Sequence, residues 1–226
     1  MARDNSPFMR QQAKLGRKQG RRAGYDRILI VSEGTKTEPS YFEEIRETYR
    51  LNTANVVVRP CDYGTAPQQI VDYAHDLFLK GDLHRKIAPR AFESIFVVFD
   101  RDEHTTYHNA LQQAESLNGT LKNDAKQKVT FQAIASVPCF ELWLLLHFED
   151  IQSPLHRTEA FQRLKKHIPN YDKGMKGAFA LTQENLEIAC KRAKRLAEKS
   201  TAYDGTEPFT DVHSLVDGLV KMEGRN

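Results

Sequence analysis

The nine residues SIFVVFDRD (Ser94–Asp102) decide the fold. Ser94–Phe99 is an almost unbroken apolar run, and it ends in an Asp-x-Asp. A strand covered by helices on both faces has this character, because neither side of its pleat meets water. Working outward, Arg27–Ser32 (RILIVS) and Asn55–Arg59 (NVVVR) read as two further buried strands, and Val129–Ala135 as a fourth. Between them lie stretches with helical spacing. The first runs from about Glu38 to Arg50, with Pro39 in its first turn and Phe42, Ile45 and Tyr49 on one face. The second, Pro67–Lys80, turns Ile70, Val71, Ala74, Leu77 and Phe78 inward, and a third covers about Tyr107–Leu117. Strands alternating with helices predict an α/β protein with a parallel sheet flanked by helices. After about Cys139 the pattern reads as helices only: Phe140–Phe148, Thr158–His167, Thr182–Lys199 and Val212–Met222. Three regions are therefore expected: a basic flexible arm (1–24), an α/β domain (25–137) and a helical C-terminal region (138–226). That last region is either a subdomain or the helices that complete the sheet's outer layers.

In open parallel sheets, ligands bind beyond the carboxyl ends of the strands. Two strand ends here carry acids. Glu33, followed by Gly34, comes directly after Ile30-Val31-Ser32, and Asp100 comes directly after Phe99 with Asp102 two residues on. If the chain is still extended there, positions i and i+2 project to one side, so Asp100 and Asp102 aim into one crevice. Three carboxylates sharing a crevice repel, and without a cation one is pushed toward its neutral form. A hard divalent ion relieves this, and an all-oxygen set suits Mg²⁺ or Mn²⁺ rather than zinc. The competing reading makes these acids helix caps or solvated loop ends.

Charge is unevenly distributed. The 226 residues carry a net +3, yet residues 1–22 hold seven basic side chains (among them Arg17, Lys18, Arg21 and Arg22) against Asp4. The rest of the chain is therefore slightly acidic. A basic arm of this kind tracks phosphates, or else is a solvated leader. No apolar run approaches the roughly 20 residues of a membrane span, and the N-terminus lacks the apolar core of a secretory signal. Cys61, Cys139 and Cys190 are widely spaced and form no CxxC pair, so neither a disulfide framework nor a zinc knuckle is indicated. The expected location is the cytoplasm. There is no Walker-type phosphate loop, which argues against ATP hydrolysis within this chain.

Four strings carry a resemblance: VSEGTKTEPSYFEEI (Val31–Ile45), VVFDRDEH (Val97–His104), SVPCFELWLLLHFE (Ser136–Glu149) and EPFTDVHSLVDGL (Glu207–Leu219). Together and in this order they resemble the RloB family, Toprim-fold proteins associated with restriction–modification loci and phage defence. The resemblance runs from about Arg27 to the C-terminus. It implies a Toprim-like, Rossmann-like sheet in which Glu33 is the Toprim glutamate and Asp100 and Asp102 are metal-binding aspartates. It also implies Mg²⁺- or Mn²⁺-dependent hydrolysis of phosphodiester bonds in DNA or RNA, tRNA included, in phage defence or abortive infection. A co-encoded ATPase or restriction–modification component is an expected partner, and a membrane is not. The alternative is a non-catalytic nucleic-acid-binding or regulatory module of such a system. A strand-passing topoisomerase or a primase would need domains that this chain lacks.

Further residues acquire candidate roles. Lys36 is placed to contact a scissile phosphate, Glu38 to build a second metal site, and His104 to bind phosphate or shuttle protons. Each has a bland counterpart: a surface lysine, an acid favoured at a helix N-terminus, a loop histidine. Glu141 sits in the apolar run FELWLLL (Phe140–Leu146), where an acid is costly unless it is paired or faces a site. It is expected in the first turn of a helix, facing the crevice, as a catalytic residue. Trp143 and His147 are read as structural. Tyr171, Lys173 and Lys176 are read as residues of a polar surface loop.

Overall fold

The computed structural model describes residues 26–34, 36–102, 104–205 and 208–223. The basic arm, with Arg17, Lys18, Arg21 and Arg22, lies outside the described residues. The decisive stretch is the middle strand, β3 (Ser94–Asp100), of a five-stranded sheet. With β1 (Ile28–Ser32), β2 (Val56–Pro60), β4 (Thr130–Val137) and β5 (Phe209–Thr210), the spatial order is β2-β1-β3-β4-β5. The first four strands are mutually parallel, and β5 is antiparallel to β4.

Alternation along the strands assigns the two faces. Leu29, Val31, Val57, Ile95, Val97 and Phe99 face one core, shared with α2 (Pro67–Lys80) and α3 (Tyr107–Leu117). Ile28, Ile30, Val56, Val58, Val98 and Ile134 face the other. Over them pack α1 (Thr37–Thr48), α4 (Phe140–Leu145), α5 (Arg157–His167), α6 (Ala178–Thr182), α7 (Leu186–Ala197) and α8 (Val212–Val220). The C-terminal helices thus complete an outer layer and do not form a separate core. Tyr41, Phe42, Phe140 and Phe179 meet edge to face at the centre of that layer. There the buried Trp143 indole N–H donates to the Tyr41 hydroxyl at 2.9 Å, which ties α4 to α1.

Three expectations need correction. The region after Cys139 is not helical throughout, because Phe209–Thr210 adds an antiparallel edge to the otherwise parallel sheet. Two residues are too few for a period-of-two pattern to show. The helix expected over Phe140–Phe148 stops at Leu145, where the N–H groups of His147 and Phe148 reach back only three residues and tighten the last turn. The helix expected over Thr182–Lys199 is α6, a 3₁₀ turn (Gln183–Asn185) and α7 in succession. No helix among the described residues is long and apolar enough to cross a membrane. The three cysteines are buried and free.

Candidate metal centre

β1 and β3 run side by side and parallel, so their carboxyl ends open on one crevice. Glu33 continues the ladder past β1: its N–H donates to the Val98 carbonyl at 2.9 Å, and its Oε2 accepts from the Asp100 N–H at 3.3 Å. Gly34 then turns the chain at φ +65°, a conformation glycine adopts without steric cost. A methyl group at Gly34 would stand 3.7 Å from Glu38 Oε2, so the carboxylate in the first turn of α1 lies over this loop.

Asp100 ends β3 and, two residues beyond Val98, faces the same side of the sheet, toward the first turns of α1 and α4. Those turns carry Glu38 and Glu141. Asp100 is 8% exposed and Glu141 4%. The Tyr171 hydroxyl donates to Glu141 Oε1 at 3.2 Å, so the acid in the apolar run has a partner. Asp102 does not reach the crevice by the extended-strand rule. The strand ends at Asp100, and Asp102 sits at φ +38°, in a turn. That turn still returns its carboxylate to the site: Glu33, Asp102 and His104 each offer one ligand atom, all within 4.8 Å of one another.

The crevice is therefore crowded with acids. Burial, with the charge of Asp102 adding to it, raises the Glu33 carboxyl above its ordinary range, against the pull of the Asp100 N–H. Burial and then the charges of Glu33 and Glu141 push Glu38 up to about 8. Asp100 is raised well above its ordinary range, by burial first and then by Glu38, Glu33, Glu141 and Asp102. These are the shifts that clustered carboxylates undergo when no cation separates them. Ser32 Oγ, on the same face as Ile30 at the end of β1, is buried without a hydrogen-bond partner among the described residues. Two carboxylates and one imidazole around a common point, with further acids beside them, fit a divalent cation; His104 in place of Asp100 departs from the all-oxygen set expected from the sequence, although carboxylates remain in the majority.

Two cations of the protein border the acids. Arg157, in the first turn of α5, places Nη1 2.6 Å from Asp102 Oδ1, as an ion pair without hydrogen-bond alignment. Lys173 lies close enough to Glu33 and Glu38 for its charge to oppose the upward shift of both. Gly174 follows it at φ +88°, and a methyl group there would meet the Lys36 stem at 2.6 Å. The Gly174 N–H donates to Thr37 Oγ1 at 2.9 Å, so the 171–174 loop is fastened to the start of α1.

Glu33, Asp102 and His104 thus form the tightest group, with Asp100, Glu38 and Glu141 close around it. Lys36 is exposed, its stem lies against Gly174, and its ammonium forms no ion pair among the described residues. Tyr171 is 1% exposed and belongs to the core, which overturns its reading as a surface residue. Its place in a polar loop concealed this, and only a search for a partner to Glu141 would have found it. Arg157 carried no signal in the sequence, because a basic residue in the first turn of an amphipathic helix has no distinguishing local pattern. His147 is buried and structural, its Nδ1 within 3.0 Å of the Trp143 carbonyl.

A family model described as RloB-like protein matches residues 28–219. Comparison with curated proteins gives no match, and neither does comparison with solved structures.

Proposed function

The chain belongs to the RloB-like family, and from that premise and the acid crevice we propose that it is a divalent-metal-dependent nuclease acting in phage defence. The observation that carries this reading is the convergence of Glu33, Asp102 and His104 at the carboxyl ends of β1 and β3, with Asp100, Glu38 and Glu141 beside them. A pure binder of polyanions gains nothing from acids gathered at its ligand site, since they repel phosphate. Acids that hold a cation have a reason to be there.

In this reading Glu33, Asp102 and His104 hold the ion, and Asp100 and Glu38 supply further oxygen ligands or a second position. When bound, Mg²⁺ or Mn²⁺ supplies Lewis-acid stabilisation of the charge that builds on phosphate oxygens and lowers the pKa of adjacent water. Arg157 and Lys173 draw the phosphodiester to the acid-lined crevice, which would otherwise repel it. Burial raises the Glu33 carboxyl above its ordinary range, so beside ligating it could also exchange a proton at the reacting oxygen. Glu141 orients the crevice through Tyr171. The basic arm, with Arg17, Lys18, Arg21 and Arg22, adds affinity for the phosphate backbone. DNA, RNA and tRNA remain the candidate substrates, and a co-encoded ATPase or restriction–modification component the candidate partner.

The test is incubation of the full chain with DNA, total RNA and tRNA, each with Mg²⁺, Mn²⁺ or EDTA. Cleavage of at least one substrate in metal and none in EDTA is expected, with Asp102→Asn inactive. Equal cleavage in EDTA, or undiminished activity in Asp102→Asn, would contradict the proposal.

A further inference from the structure

A second cavity shares a wall with the acid crevice. It has a volume of about 360 Å³ and is lined by Glu141, Arg157, Phe161, Gln162, Asp172 and Lys173, among others. It sits between α5 and the 171–174 loop, and three of its lining residues also serve the metal centre. Arg157 reaches Asp102 at 2.6 Å. Glu141 is buried next to Asp100, and Lys173 lies within electrostatic range of Glu33 and Glu38. The two cations that would hold a phosphate thus line the cavity and border the acids of the candidate metal site at once.

The rest of the lining has the chemistry of a base site. Phe161 is half-buried, packs against Tyr171 with ring centroids 5.5 Å apart, carries the Lys165 ammonium 4.8 Å from its ring centre, and gives an aromatic wall. Gln162 and Asp172 are exposed at the rim. A glutamine amide both donates and accepts, and a carboxylate accepts only, so the pair complements the amino and carbonyl groups of a nucleobase edge. The volume lies near the lower end of the roughly 300–1,000 Å³ typical of small-ligand sites, enough for one nucleoside and far too little for stacked pairs. Resting on the nuclease reading above, we propose that this cavity takes an unpaired nucleobase next to the phosphate held by Arg157 and Lys173. The preferred substrate is then single-stranded or looped nucleic acid rather than continuous duplex. In a duplex the base is stacked and its edge already paired, and extruding it is costly. Unpaired bases are free to enter such pockets.

The experiment is fluorescence polarisation with the full chain in EDTA, at one salt concentration, using labelled single strands of RNA and DNA and blunt duplexes of the same sequences. At least one single strand is expected to bind about tenfold more tightly than its duplex. Gln162→Ala and Phe161→Leu should each remove most of that advantage. Gln162→Ala is at an exposed position and should melt like wild type, which guards against loss by unfolding. Equal or tighter binding of duplex, or full single-strand preference in both variants, overturns the proposal. So does displacement of the strand by free mononucleotides at matching concentrations, which would mark an effector pocket. Cleavage followed in parallel with Mn²⁺ separates the two claims. Cleavage without single-strand preference refutes the base pocket alone, whereas single-strand preference with no cleavage of any strand refutes the nuclease reading.

Discussion

Asp102 and Glu38 stand in opposite electrostatic situations within one crevice, and their variants should diverge. Asp102 is paired with Arg157 at 2.6 Å. Asp102→Asn removes that pairing but also a like charge beside Glu33 and Asp100, so the apo melting temperature should change little, by an amount worth at most about 1 kcal/mol. Glu38 is pushed up to about 8 by burial and by the charges of Glu33 and Glu141. Glu38→Gln keeps its shape, removes an acid that burial and like charges hold protonated at a cost, and should raise apo stability at neutral pH by roughly 1–3 kcal/mol. Both variants should lose Mn²⁺-dependent cleavage. Thermal melts in EDTA, set beside cleavage in Mn²⁺, check the pair. If Glu38→Gln melts early instead, the acid is a helix-end residue of α1 and not part of a charge cluster. Asp100, Glu33 and Glu141 were legible as single residues because each breaks a local rule, either as an acid at the end of an apolar strand or as an acid inside an apolar run. Arg157 and Tyr171 break no local rule, and only the folded chain brings them to the acids.

Two elements should report on how the site is held. The 171–174 loop meets the start of α1 at Gly174, where φ is +88° and an added methyl group would collide with the Lys36 stem at 2.6 Å. Gly174→Ala should therefore cost roughly 1–3 kcal/mol and weaken cleavage by displacing Lys173. Adding Lys36→Gly, which removes the obstructing atoms, should recover part of the lost stability in a double-mutant cycle. Past the end of α4, His147 is 2% exposed, with Nδ1–H toward the Trp143 and Leu144 carbonyls and Nε2 buried without a partner among the described residues. Burial, the largest influence, lowers its pKa to about 4. The unfolded histidine titrates near about 6.5, so above that pH both states are neutral and no penalty arises. Below it the unfolded chain takes up a proton that the folded chain refuses, and stability falls with pH down to about 4. The loss between pH 7 and pH 5 should be about 2 kcal/mol. His147→Leu should show a shallower decline in melting temperature over that interval, and equal declines would mean that another group carries the effect. The ends of α2 were legible because Pro67 opens it and Gly81, at φ +68°, closes it. The end of α4 was not, because its apolar run continues past Leu145 while the backbone tightens into a last turn.

For the molecule as a whole, the order of strands and helices followed from alternating hydrophobic periods, and the parallel arrangement of β1 to β4 followed from the helices between them. The antiparallel β5 was hidden because two residues carry no period. The site was legible as a place, the carboxyl ends of β1 and β3, but the path by which Asp102 reaches it was not. A turn at φ +38° replaces the extended geometry that the spacing suggested. The basic arm belongs to this scale too. Deleting residues 1–24 should reduce nucleic-acid affinity and flatten its salt dependence, by about 0.7–0.9 log units per log unit of salt for each phosphate the arm neutralises. Filter binding over a salt series checks this, and an unchanged slope would make the arm a mere leader. Nuclease activity at this crevice depends most on its holding a divalent ion through this chain's own acids. Electron paramagnetic resonance of free Mn²⁺, titrated into wild type, Glu33→Gln and Asp102→Asn, measures that without reference to any substrate. Saturable binding by wild type, with much weaker affinity in both variants, is predicted. Absence of binding by wild type, or equal binding by all three proteins, would contradict the account.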